Sequence, residues 1–351
     1  MHLAKPIIAV ASAALSLAAH AQTNVQLYGI ADAGIEYVDK VRTGGVGSKT
    51  ESTVRVQSGS ASSSRFGIRG REDLGGDLSA VVALESGISI DTGTLGQGGR
   101  LFGRHAYVGL NHKSLGELQL GRQTSVVYDY GVFYDPVAAT RYSAYVFDAP
   151  YAGRADNAVK YVGKLGGLNI GAQYSFGYDG LIAGGGEVPG AYRVGKETGV
   201  HVNYAAGPVQ VGAMYNRQNG TSIATQRNTI ERMSVGATYT IAPVKLLASY
   251  QRLTAETPAT SRDTDLYWVG AQYSGGPFTV TGALYFNDPD GSANRSSMLV
   301  FLGSYALSKR TDLYSEIAFM RNQDAAMLGM AGPVNPGDRQ GGAIVGIRHR
   351  F

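Results

Sequence analysis

The sequence predicts an all-β fold: a transmembrane antiparallel β-barrel of about sixteen strands, with lipid outside and water inside. Three observations predict it. Apolar residues recur every second position along nearly the whole chain, as in Leu168, Ile170, Ala172, Tyr174 and Phe176 against Asn169, Gly171, Gln173, Ser175 and Gly177. Short turns alternate with long polar segments. Beyond the first 21 residues, no apolar run comes near the ~20 residues a spanning helix needs.

The N-terminal residues read as a leader. Lys5 is its only charge, Ile7 to Ala19 is too short an apolar stretch to span a bilayer, and Ala19-His20-Ala21 is an A-x-A cleavage site. Residues 1–21 are therefore expected to be a signal peptide, with 22–351 a single barrel domain. Losing Lys5 leaves the remainder weakly basic, with charges scattered rather than clustered, so nucleic acid is not an expected partner. The 351-residue chain has no cysteine, 49 Gly and 22 Tyr, but one Trp and 11 Pro. Tyrosine suits a membrane–water boundary, where its ring is buried and its hydroxyl stays wet.

The strands follow in order. The first is Val25 to Val38 and the second Ser63 to Asp73. Two later strands alternate around Met233, Val235, Ala237, Tyr239 and Ile241, then around Val244, Leu246, Ala248 and Tyr250. Period two gives each strand one apolar and one wet face. Short turns lie at Gly75-Gly76-Asp77, Ser114-Leu115-Gly116, Gly166-Gly167, Ala206-Gly207-Pro208, Ala242-Pro243, Gly275-Gly276-Pro277 and Ser308-Lys309-Arg310. Between them run longer segments: 39–61, 91–101, 125–152, 178–196, 218–230, 255–263, 287–296 and 322–340. Tight turns at the periplasmic end and long external loops are the expected arrangement. The last strand alternates Val345, Ile347, His349 and Phe351 against Arg348 and Arg350, and is expected to close on the first.

The apolar parity also assigns the wet face. Phe66 and Ile68 outward put Arg65, Arg69 and Arg71 in the lumen. Tyr107 outward would put Arg104 in. Arg154 starts another strand, Arg122 ends the strand before the longest turnless stretch, and Glu85, Asp32 and Glu36 share inward faces. Arginines faced by carboxylates make a transverse field across a water-filled constriction. The segment 125–152 carries Tyr128, Tyr130, Phe133, Tyr134, Tyr142, Tyr145, Phe147 and Tyr151 with Asp129, Asp135 and Asp148. So many aromatics imply a constriction loop folded into the lumen, its rings on the wall and its acids toward the pore.

No catalytic constellation emerges. Beyond the leader there are four histidines, His105, His112, His201 and His349, and no His-Glu-x-x-His. With no cysteine a thiolate metal site is excluded. The stretch from Asn287 to Gly291 reads as a turn rather than a calcium loop, since the distal Glu is missing. No enzyme, cofactor or metal is expected.

With these residues in hand, the chain resembles the general porins of Gram-negative outer membranes, of the beta-proteobacterial type. The marks are VQLYGIAD from Val25 to Asp32 and SRFGIRGREDLG from Ser64 to Gly75. Further marks are Gly121-Arg122-Gln123 leading to Val127-Tyr128-Asp129, Arg154 with Asp156-Asn157, and the ending GIRHRF from Gly346 to Phe351. The resemblance implies an outer-membrane homotrimer, a third loop folded into the lumen, and passive diffusion of ions and small hydrophilic solutes; the weakly basic balance and the arginine-heavy wall add an expected weak anion preference. It implies contact with outer-membrane lipid and lipopolysaccharide, and a terminal Phe351 read by the barrel-assembly machinery. It places Arg65, Arg104 and Arg154 on the basic wall and Asp135 at a loop acid; the strand and loop readings add Arg69 and Arg122 to the wall and Asp129 and Asp148 to the acidic loop. The chain departs from enterobacterial members, reading Asp135-Pro136-Val137-Ala138-Ala139 where they carry Pro-Glu-Phe-Gly-Gly, and Ile30 where they carry a lysine. A substrate-specific channel for a sugar or organic anion is the alternative.

Overall fold

The computed structural model describes residues 23–351 except 139 and 182–186; the leader assigned to 1–21 lies outside the described residues. Seventeen strand segments, β1 to β17, form one antiparallel sheet that closes on itself. β1 (Thr23–Arg42) meets β17 (Arg339–Arg350) from Ile30 opposite Arg350 to Val38 opposite Gly342. On its other edge β1 meets two segments in succession. Its first part pairs with β3 (Arg65–Gly75), and its second part with β2 (Thr50–Ser58). β2 and β3 therefore share one place in the wall, which makes sixteen strands.

One expectation fails here. The segment 39–61 is not a loop throughout: it contains the end of β1 and all of β2. Val54 and Val56 face outward, so the period-two signal is present. The run of Ser, Gly and Ala from Ser58 to Ser64 masks it by breaking the strand. At that break the chain turns inward, and Asp32 Oδ2 accepts from the Ala61 and Ser62 amides at 3.1 and 2.7 Å. The segment 255–263 is likewise mostly strand, since β12 (Val244–Glu256) and β13 (Ser261–Gly275) leave only four residues between them.

The remaining strands are β4 (Leu78–Gly87), β5 (His105–His112), β6 (Gly116–Thr124), β7 (Arg154–Leu165), β8 (Leu168–Ser175), β9 (Glu197–Ala206), β10 (Val209–Asn219), β11 (Thr229–Ile241), β14 (Phe278–Pro289), β15 (Ser296–Ala306) and β16 (Thr311–Asn322). At the tight turns Gly166, Gly207 and Gly276 take positive φ, which a side chain would resist. Outward positions are apolar and exposed: Leu27, Val108, Leu120, Val235, Leu246, Val280 and Ile347 among them. Two aromatic girdles flank this band, with cross-strand pairs such as Phe278–Tyr305 at 4.7 Å near the tight turns and Tyr267–Phe286 at 5.2 Å toward the long loops.

The buried core lies inside the ring. The segment between β6 and β7 packs its rings against inward-pointing side chains of β10 to β17. Its first turns form α1 (Val126–Tyr134), capped by Ser125, whose Oγ accepts from the Tyr128 amide at 3.2 Å. Val126, Val127, Tyr130, Tyr134, Tyr142 and Tyr151 are buried against Trp268, Tyr285, Met298, Tyr314 and Ile344. Each such ring contributes about 1.5–3 kcal/mol of transfer energy. That burial holds an otherwise irregular segment against the wall.

Candidate functional site

The basic wall is built on β3, β4 and the start of β5 and β7. Antiparallel register sets Arg65 opposite Gly87, and sets Glu85 opposite Gly67 on β3 and His105 on β5. Glu85 is almost fully buried and gathers the neighbouring donors: Arg104 Nε at 2.6 Å, Tyr28 OH at 2.9 Å and Arg65 Nη1 at 3.9 Å. Arg69 lies 4.2 Å over the Tyr28 ring, which holds its charge on the lumen face without an acid. Arg154 leans 5.6 Å over the Tyr128 ring and donates to the Ala152 carbonyl. Arg65 and Arg154 each sit within electrostatic reach of Arg104. Several arginines thus share one carboxylate, and the patch keeps a positive surplus.

Arg104 reaches this place by a different route from the expected one. Tyr107 does not face outward. Ala106, Val108 and Leu110 form the outer face of β5, while His105 and Tyr107 point inward and border a lumenal cavity of about 570 Å³. Arg104 precedes the strand and folds in through its own amide, which bonds the Glu85 carbonyl at 3.0 Å. Aromatic inward residues disguise the parity of β5.

Arg122 lies at the edge of this patch, within electrostatic reach of Arg154 but paired with an acid of its own. It has the same parity as Leu118 and Leu120, which face out. A bulge after Gly121 sets it opposite Asp156, where its guanidinium pairs with Asp156 Oδ1 and Arg100 holds Oδ2 at 2.7 Å. This is a rim cluster tying the long loops together. Its signal in the sequence was the same parity rule.

Each of the three loop acids is engaged by donors, although Asp129 and Asp135 still border lumenal cavities. Asp129 turns to β7, pairing with Lys160 Nζ and accepting from Thr124 Oγ1 at 2.8 Å. Asp148 is held by Arg232 through two bonds of 2.7 and 2.9 Å and by Gln251 at 3.0 Å. Asp135 is buried. Burial pushes its carboxyl above the ordinary range, against the pull of the Tyr285 hydroxyl and the Ala144 and Val137 amides. The physical reason is common to all three: an acid turned onto a wall donor loses less than one left between rings and lipid-backed strands.

Sequence reasoning put Glu36 on the inner face but missed its partners and the wall's other fasteners. Glu36 accepts from Arg55 at 2.6 Å, from Arg141 at 2.5 Å and from Tyr142 at 2.8 Å. Glu316 accepts from Thr140 at 2.7 Å. Lys160, Arg232 and Glu316 all lie on the inward parity of their strands, opposite Tyr161, Met233 and Ile317, so the rule that found Arg65 could have found them. Arg141, on irregular backbone, gives no such signal. Phe351 completes the ring: its amide and carbonyl bond Gly29 at 3.1 and 3.0 Å, and its ring fills the space a Gly29 side chain would need. Among the described residues no cluster of acids and histidines could hold a metal.

A closed sixteen-stranded barrel, an apolar band between aromatic girdles, and a loop laid on the inner wall define an outer-membrane channel. The chain belongs to the Gram-negative porins, whose family model matches residues 8–325. It is similar to the outer membrane porin protein 32 of Delftia acidovorans, 32% identical with 99% of both chains covered. A porin of Bordetella pertussis is 33% identical, with 95% of this chain and 96% of the relative covered. Among solved structures, an anion-selective porin from Comamonas acidovorans superposes with a TM-score of 0.80 at 29% identity, covering 94% of this chain and all of that one.

Proposed function

We propose that this porin is a passive diffusion pore for ions and small hydrophilic solutes, preferring anions, with residues 125–152 as its constriction loop. One observation carries the sign: on this wall Arg65 and Arg104 share one buried glutamate and Arg69 and Arg154 pair with no acid, while each predicted loop acid is engaged by its own donor. Arg65, Arg69, Arg104 and Arg154 then leave a net positive field at the narrowing. The anion-selective relative from Comamonas supports the same sign. The preference is weak and fades with salt, because the Debye length falls from about 10 Å at 0.1 M to about 3 Å at 1 M.

The proposal includes a homotrimer in contact with lipopolysaccharide, assembled through recognition of the strand ending at Phe351, and no catalysis. Conductance of the detergent-extracted protein in planar bilayers, under a salt gradient, tests the central claim. Step conductance with an anion-selective reversal potential is expected. A reversal potential of the cation-selective sign overturns the selectivity, and no steps at all overturn the open pore. Cross-linking in native membranes tests the trimer.

A further inference from the structure

On the side of the tight turns, the underside of the constriction loop and the inner wall of β12 to β17 enclose a second lumenal cavity of about 310 Å³. Lys245, Gln272 and Ser304 lie on its polar side together with Thr140, Arg348 and Asp135. Phe133, Pro136 and Leu302 supply an apolar floor. Lys245 and Gln272 are direct cross-strand neighbours, and both lie within three residues of a tight turn.

The charges around this cavity divide into committed and uncommitted groups. Arg348 is committed: Asp312 takes two of its bonds at 3.2 and 2.9 Å, and Ser62 and the Ala61 carbonyl take the third nitrogen. Asp135 is committed too, both oxygens being occupied by Tyr285 and loop amides. Lys245 is half-buried and inward, and its Nζ has no hydrogen-bond or ion-pair partner among the described residues. Lys245 is thus a cation with donors available, in a cavity that also holds the Gln272 amide, which donates to Thr281 Oγ1 at 3.4 Å, the Ser304 hydroxyl and an apolar patch.

We propose that this cavity is a subsite for small carboxylates that carry a compact apolar body, such as an aryl or short branched acid. The proposal rests on the anion-preferring reading and names the solute class that reading favours. A monoanion matches one free ammonium; a phosphate dianion calls for several cations or a bidentate arginine. The carboxylate takes Lys245 Nζ and the Gln272 and Ser304 donors, and the apolar body displaces water from Phe133, Pro136 and Leu302. Val132 and Phe133 border this cavity and also the larger one lined by His105 and Lys160. Val132 is 51% exposed, so the edge of α1 presents apolar surface along the path between them.

The test uses sodium benzoate and sodium acetate as probes on single channels in potassium chloride. Benzoate is expected to reduce the chloride current at concentrations where acetate does not. Lys245→Gln should raise the half-blocking concentration of benzoate about tenfold, the loss of one charge-assisted hydrogen bond. Val132→Ser, at an exposed position, should weaken benzoate block by a smaller factor. Equal block of wild type by benzoate and acetate, or an unchanged half-blocking concentration in Lys245→Gln, overturns the subsite. The wild-type reversal potential in potassium chloride separately reads the anion preference, so the two failures are distinguishable.

Discussion

The two sides of the lumen wall spend their charges differently. On β10 to β17 several inward polar groups are consumed by the constriction loop: Arg232 by Asp148, Glu316 by Thr140, Tyr285 by Asp135. On β3 to β7 the loop contributes the Tyr128 ring and one acid, Asp129, which goes to Lys160, and the arginines keep much of their charge for water. One wall is a fastening and the other a field. The contrast teaches that the number of charges in a pore says little until each has been paired off.

Breaking the fastening should have the largest effect. Asp148→Ala leaves Arg232 buried without its partner and is expected to cost about 3–5 kcal/mol, read as a lower unfolding midpoint and noisier open-channel current. An unchanged midpoint with quiet current would mean the loop does not depend on this pair. Tyr285→Phe removes one donor from a buried carboxyl at the other anchor, and about 1–3 kcal/mol is expected by the same measurement.

Breaking the field should change selectivity and spare stability. Arg65→Gln with Arg154→Gln is expected to move the reversal potential toward cations by a modest amount, largest at low salt. No movement would make these side chains bystanders. Arg104 is the wrong choice for this experiment, since its loss strands Glu85 in a buried site. The smallest effect belongs to Arg122→Gln: its place on the rim predicts an unchanged reversal potential, and a shift as large as that of the double variant would return it to the pore.

The wall was legible in the sequence because period two is set by backbone geometry alone and repeats in every strand. It located Arg65, Arg69, Glu85, Asp32 and Glu36 on the inner face. It failed where the period is disguised. Inward His105 and Tyr107 look like an outer face, the small residues from Ser58 to Ser64 hide β2, and the bulge at Gly121 hides the pairing of Arg122 with Asp156. The constriction loop was recognisable by its aromatics, but the direction of each acid was not. Irregular backbone has no parity, and Asp135, Asp129 and Asp148 point wherever a donor is within reach.

The first strand holds neighbours from both extremes of chain distance. Val38 faces Thr53 on one side and Gly342 on the other. Bringing the distant partner in costs only roughly 2–3 kcal/mol more in closure entropy than the near one, because that cost grows with the logarithm of length. The penalty that matters is enthalpic and comes at the seam. A nearly finished ring carries two open strand edges, and hydrocarbon offers their amides and carbonyls nothing. The sheet therefore has no stable partly zipped form in the bilayer, and a lesion anywhere along the seam between β1 and β17 should reduce the yield of finished channels rather than alter the channels that form.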